Sequence, residues 1–113
     1  MAGTAGAVGV IAVLAALTVS LAAVGGAAVH GQRLASAADA AALGAADAAS
    51  GAVPGIPCER AARVAATASV DVVSCEVNGL IATVRVSSAF GPFPAHAVAR
   101  AGPPPDDSAH DGG

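Results

Sequence analysis

The stretch that most limits what this chain can fold into is Ala5 to Val29 (AGAVGVIAVLAALTVSLAAVGGAAV), which carries no formally charged side chain. As a helix rising about 1.5 Å per residue it reaches about 37 Å, enough to cross a hydrocarbon core of about 30 Å. The competing reading is a secretory signal, whose apolar region runs only about 7 to 15 residues. Gly26-Ala27-Ala28 is nevertheless small enough to resemble a signal-peptidase site. A retained helix is favoured, and cleavage near Ala28 stays open as the alternative. Gly3, Gly6 and Gly9, with Ala5-x-x-x-Gly9 and Ala22-x-x-x-Gly26, have spacings that let helices approach closely in lipid. An Ala/Gly-rich run produces such spacings by chance as well.

From Gln32 to Ser50 (QRLASAADAAALGAADAAS) the pattern stays helical but turns amphipathic. At 100° per residue, Leu34, Ala38, Ala41, Ala45 and Ala48 fall on one side, and Ser36, Asp39, Asp47 and Ser50 on the other. An almost all-Ala face lets another element lie unusually close, and a small sheet is the natural cover. Leu43 stands inside the polar stripe. It is either a stray exposed Leu or a contact with a neighbouring subunit. Residues 1–31 therefore read as a transmembrane helix and 32–50 as an extension of the same helix beyond the lipid.

Residues 51–101 read as a small α+β head. Ala52 to Pro57 is a loop, since two prolines and a glycine stand close together. Cys58 to Ser69 returns to helical spacing, with Ala61, Val64, Ala65 and Ala68 on one face and Glu59, Arg60 and Arg63 on another. The Glu59/Arg63 pair at i, i+4 supports an exposed face by a few tenths of a kcal/mol. Val70 to Val77 and Leu80 to Ser87 flank Asn78-Gly79, a strong signal for a two-residue hairpin turn. With those two residues at the centre of the turn, Val77 faces Leu80, Cys75 faces Ala82 and Val73 faces Val84 on an apolar side. Gly91-Pro92-Phe93-Pro94 breaks the second strand, and His96 to Ala101 alternates as a short third strand, so the sheet has two or three antiparallel strands. Residues 102–113 (GPPPDDSAHDGG) lack an apolar anchor and are expected to be disordered.

Cys58 and Cys75 are an even count, and in an exported chain a pair normally forms a disulfide. Such a bond would close a loop of roughly 18 residues, worth about 3 kcal/mol in the chain-entropy model. A head kept in the cytoplasm would instead hold two buried free thiols. Met1 to Thr4 contain no Lys or Arg and the first basic residue is Arg33, so the positive-inside preference argues against export of the head, while the cysteine pair argues for it. Export is favoured: a single-pass protein of the cell membrane with its C-terminal head extracytoplasmic. That orientation carries the expectation that the natural start lies upstream and supplies basic residues.

The residues offer little chemistry. There is no Lys, the five Arg are scattered and net charge is −3, which removes the electrostatic footprint of a nucleic-acid binder. Only Phe90 and Phe93 are aromatic, so the core is Ala- and Val-rich and shallow, and no pocket for a small-molecule substrate is expected. His30, His96 and His110 are scattered without a recognisable nucleophile and orienting acid. Asp39 and Asp47 lie about 12 Å apart along a helix, too far to share a proton or metal. No cofactor, no metal and no enzymatic activity are expected.

The string Gln32-Arg33-Leu34-Ala35-Ser36-Ala37-Ala38-Asp39-Ala40-Ala41-Ala42-Leu43, directly after an apolar helix, resembles the R-L-Q-x-A-A-D-A-A-A-L-A-A signature of TadE/TadG-like proteins of tight-adherence (Flp) pilus systems. The layout, with its paired cysteines and Asn-Gly hairpin, is similar to the short TadE-like branch encoded beside secretion ATPases and a helicase in high-GC Gram-positive bacteria. The resemblance covers nearly the whole chain and is strongest over Gly3 to Ala49. It implies a pseudopilin-like, membrane-anchored component of a pilus or type II/IV-related secretion machine. On that reading it forms homo- or hetero-oligomers with other pilus or secretion subunits, and Leu34, Ala38, Ala41, Leu43 and Ala45 serve helix packing and assembly. Gly3-Thr4 stands where such proteins can carry a prepilin-peptidase processing site, although Val8 occupies the position where the pattern has an acidic residue.

Overall fold

The computed structural model describes residues 2–104, which form an α+β fold of five elements. A long helix α1 (Ala2–Ser50) is followed by a short helix α2 (Pro57–Thr67) and three strands, β1 (Asp71–Asn78), β2 (Ile81–Phe90) and β3 (Phe93–Ala101). The strands make an antiparallel meander in the order β1-β2-β3. The chain divides into two compact units, one ending at Gln32 and one beginning at Arg33, so the second half of α1 belongs to the head. The expected disorder of 102–113 falls mostly on 105–113, outside the described residues; residues 102–104 follow β3 without regular structure.

The helical half of the head is built on small side chains. Leu34, Ala37, Ala38, Ala41, Ala42, Ala45 and Ala46 are buried, recurring at the three- and four-residue intervals of one helix face. They join Ala61 and Ala65 of α2, Ala82, Val84 and Val86 of β2 and Ala99 of β3 in a single core. Val84 and Val86 are its largest fully buried side chains. With so little volume per residue, close backbone approach has to supply the contacts that bulky side chains supply elsewhere.

α1 stops at Ser50, whose hydroxyl donates to Asp47 O at 3.1 Å and accepts from Ala52 N–H at 3.4 Å. Pro57 opens α2 at a position that needs no N–H. α2 ends in a Schellman turn: Ser69 N–H donates to Ala66 O (3.0 Å), and Val70 N–H donates to Ala65 O (3.1 Å). Ser69 occupies the left-handed position of that turn with φ 58°. The helix read over Cys58 to Ser69 is thus shortened at its end by a motif that glycine more often marks.

The first hairpin corrects the expected register. Asn78 pairs with Ile81, so the central residues are Gly79-Leu80, not Asn78-Gly79. Gly79 takes φ +62° at the first central position, the residue and the position that suit a type II′ turn. The pairing slips by two residues, which brings Cys75 opposite Val84 and Val77 opposite Ala82 and keeps both on the core side. A bulge between Val72 and Ser74 then turns Val73 outward, 51% exposed, and gives its expected inward place to Val72. The second hairpin uses the same device at Gly91-Pro92, with φ +59° at Gly91. β2 therefore continues to Phe90, and β3 begins at Phe93, three residues earlier than the alternation from His96 indicated.

Candidate functional site

Along the first unit, every side chain from Gly3 to Val29 is exposed, including Val8, Ile11, Leu14, Leu17, Leu21 and Val24. This is one helix long and apolar enough to cross a membrane. Its only polar side chains between Ala5 and Val29 are Thr18 and Ser20. Thr18 Oγ1 donates to Leu14 O at 2.8 Å and Ser20 Oγ to Ala16 O at 2.9 Å. Each hydroxyl is satisfied by its own helix, which removes the cost of placing an unpaired donor in hydrocarbon. Gly3 and Thr4 lie in the first turns of α1 and are exposed.

The five residues read as serving helix packing and assembly separate into two sets. Leu34, Ala38, Ala41 and Ala45 are 0–3% exposed, covered by the head of their own chain. Leu43 is 57% exposed on the opposite side, flanked by exposed Ser36, Asp39, Ala40 and Asp47. Only Leu43 of the five is open to another molecule. Sequence spacing found both faces and gave a small sheet as the natural cover of the Ala face, and these residues share one core with Ala82, Val84 and Val86 of β2 and Ala99 of β3.

Cys58 and Cys75 form a disulfide with Cα atoms 5.9 Å apart, joining the first turn of α2 to β1. Both cysteines are half-buried, and Cys75 packs against the core. The bond and the Val70–Ala65 hydrogen bond tie the two ends of α2 to β1.

The outer sheet face carries exposed Arg85, His96, Val98 and Arg100, with Glu76 on β1. Among the described residues no three His, Cys, Asp or Glu side chains come together as metal ligands would. His30 is in α1 and His96 on the outer face of β3, while His110 lies outside the described residues. A shallow hollow is lined by Ile81, Arg100, Ala101, Gly102, Pro103 and Pro104, in which Arg100 is the sole ionisable group. Such a lining can hold a surface segment but has no acid–base pair to work on a substrate. No protein-family model matches this chain, and no match is found to a curated protein or to a solved structure.

Proposed function

We propose that this chain is a membrane-anchored structural subunit, pseudopilin-like, of a pilus or a type II/IV-related secretion machine, working by helix-mediated assembly and not by catalysis. The observation that carries the reading is the change of environment along α1: bare and apolar to Val29, then sealed into a head from Leu34 to Ala46. An apolar stretch, Ala5 to Val29, whose two hydroxyls are both bonded within the helix suits lipid or the packed centre of a bundle. The resemblance of Gln32 to Leu43 to the TadE/TadG-like signature supplies the machine. The disulfide supports an extracytoplasmic head, because such bonds persist in oxidising compartments.

The test is fractionation and crosslinking of the native protein. The reading expects material extracted from membranes only by detergent, crosslinked through α1 to further copies or other subunits, with Cys58 and Cys75 oxidised in cells. A monodisperse monomer in the culture medium would overturn it. That outcome would instead favour a secreted binding module cut near Ala28, which the fold permits because the head begins at Arg33. The mass of the mature N-terminus separates the two.

A further inference from the structure

The outer side of the sheet is divided electrically between its strands. β1 brings the carboxylates, Asp71 and Glu76, and no basic residue, while β2 and β3 bring Arg85, His96 and Arg100 and no acid. All five are exposed, and the core lies on the opposite side. Thr83 stands opposite Arg100 and Arg85 opposite Val98, so Arg85 and Arg100 are diagonal neighbours with Cα atoms about 7–8 Å apart. Their guanidinium groups make one cationic patch beside Val98, which is 58% exposed.

The chain leaves β3 at the edge of that patch. Ala101 pairs with Ala82 in the last rung of the β2–β3 ladder, and Gly102 follows so close to β2 that a Cβ there would stand 2.6 Å from Leu80 O and 3.0 Å from Ile81 Cα. By alternation Ile81 shares the outer side with Arg85, as Arg100 does with Val98. Ile81, Arg100 and residues 102–104 line one hollow, which puts the departing chain on the outer side next to Arg100. The residues that come next, 105–113 (PDDSAHDGG), carry Asp106, Asp107 and Asp111 and no Arg.

We propose that this acidic segment, 105–113, folds back over the cationic side of its own sheet and sets its carboxylates against Arg100 and Arg85. Every residue involved belongs to the unit that begins at Arg33. The charge of the segment is opposite to that of the patch, and the carboxylates of β1 turn it toward β2 and β3. Its first acid stands two residues beyond Pro104, and its nine residues at about 3.3 Å each reach about 30 Å, several times the step from Arg100 to Arg85. Pro105-Asp106 suits the centre of a turn, because Pro presets φ and Asp bonds nearby backbone, so the chain can reverse there. Single exposed ion pairs are weak, and attachment to the same chain offsets this by keeping the acids at high effective concentration. Without an apolar anchor the hold is electrostatic, which makes the segment a displaceable cover that any other acidic segment would have to compete with.

The chain has no Lys, so one Arg→Lys change supplies a unique side-chain amine that carbodiimide joins, with loss of water, to a carboxylate in contact with it. Full-length Arg85→Lys and Arg63→Lys proteins in detergent, with the Cys58–Cys75 bond as the check on folding, are coupled and digested with trypsin. Mixing unlabelled with isotope-labelled protein separates links within one copy from links between copies. The expected result is that Arg85→Lys joins peptide 101–113 of its own copy, and that salt at about 1 M, where the Debye length is about 3 Å, lowers the yield several-fold. Arg63→Lys, on α2, is expected to join Glu59 and not that peptide. Coupling of Arg85→Lys to Glu76 alone overturns the proposal, as does a yield that salt leaves unchanged. Equal coupling of peptide 101–113 to Arg63→Lys shows a segment without a seat, and links only between copies assign the patch to a second molecule; either result also overturns it.

Discussion

Gly44 of α1 lies so close to Val64 of α2 that a Cβ at position 44 would stand 3.1 Å from Val64 Cγ2, with Arg60 Cγ at 3.4 Å. The absent side chain is what lets the two helices meet. Gly at a helix interior costs about 1 kcal/mol relative to Ala, so Gly44→Ala gains helix propensity while crowding a β-branched neighbour. The expected gain in the native background is well under about 1 kcal/mol, and it approaches that full value when Val64 is already Ala. Gly44→Leu overpacks the contact and destabilises by about 1–3 kcal/mol. Hydrogen exchange of the β2 amides in detergent reads these differences, and additivity of Gly44→Ala and Val64→Ala would show that the helices do not touch there.

Neighbouring alanines on α1 have opposite surroundings: Ala41 is fully buried and Ala40 exposed. Ala41→Leu is expected to destabilise the head by about 1–3 kcal/mol, because the sheet cannot back away from a helix held by α2. Ala40→Leu stays within about 0.5 kcal/mol. Equal effects in an unfolding measurement would mean that the Ala face is not the packed one.

Loss of the Cys58–Cys75 bond, by Cys58→Ala with Cys75→Ala, removes the tie between α2 and β1. With a sequence separation of 17, the chain-entropy model gives a loss of about 3 kcal/mol. The exchange protection of β1 should fall with it. A loss under about 1 kcal/mol would place the stability of the head in the Ala-rich core instead.

Ser69 holds a left-handed backbone (φ 58°) at the end of α2, a conformation that costs a residue with a Cβ about 1–2 kcal/mol. Ser69→Gly relieves that cost but increases the entropy of the unfolded chain by about 0.5–1 kcal/mol. The net expectation is a gain of about 0.5 kcal/mol, seen as a higher midpoint of thermal unfolding. A lower midpoint would show that the serine side chain contributes something its backbone position does not reveal.

These positions also show what the residue order makes legible. The uncharged run and the Leu34 to Ala48 spacing define the two halves of α1, because helix periodicity and burial act together there. The paired β-rich runs define the first hairpin, but Asn78-Gly79 and Gly79-Leu80 both make acceptable turn centres. The choice falls on the second, which keeps Cys75 and Val77 inward, and the bulge at Val73 then exchanges Val73 for Val72 on the inward side. β3 is longer than its alternation indicates because Pro94 reads as a breaker. In the structure it pairs with Ala89 next to the closing Phe90–Phe93 pair. That place in an antiparallel ladder turns its backbone nitrogen to the open edge, where no N–H is needed. The exposed face around Leu43 is visible from spacing, whereas the pairing of Phe90 with Phe93 across the Gly91-Pro92 turn depends on where β3 begins and is not.

Leu43 is the assembly candidate that the head leaves uncovered, and its surroundings make the prediction specific. Its 57% exposure sits between Asp39 and Asp47, so a partner there must offer a small apolar seat with basic groups at its margin. The exposed side of α2 has that composition, with Ala62 and Ala66 beside Arg63. Contact of one copy's α1 with the next copy's α2 joins two different patches, which closes as a dimer where the contact is reciprocated by a two-fold axis and propagates where it is not. A photoreactive residue at position 43 is expected to crosslink to a second copy in membranes, at peptides containing Ala62 to Ala66. Arg63→Glu should weaken that crosslink, and Arg63→Glu combined with Asp39→Arg should restore part of it. Crosslinking of position 43 to lipid alone, or to no protein, would remove Leu43 from assembly and leave it an ordinary exposed side chain.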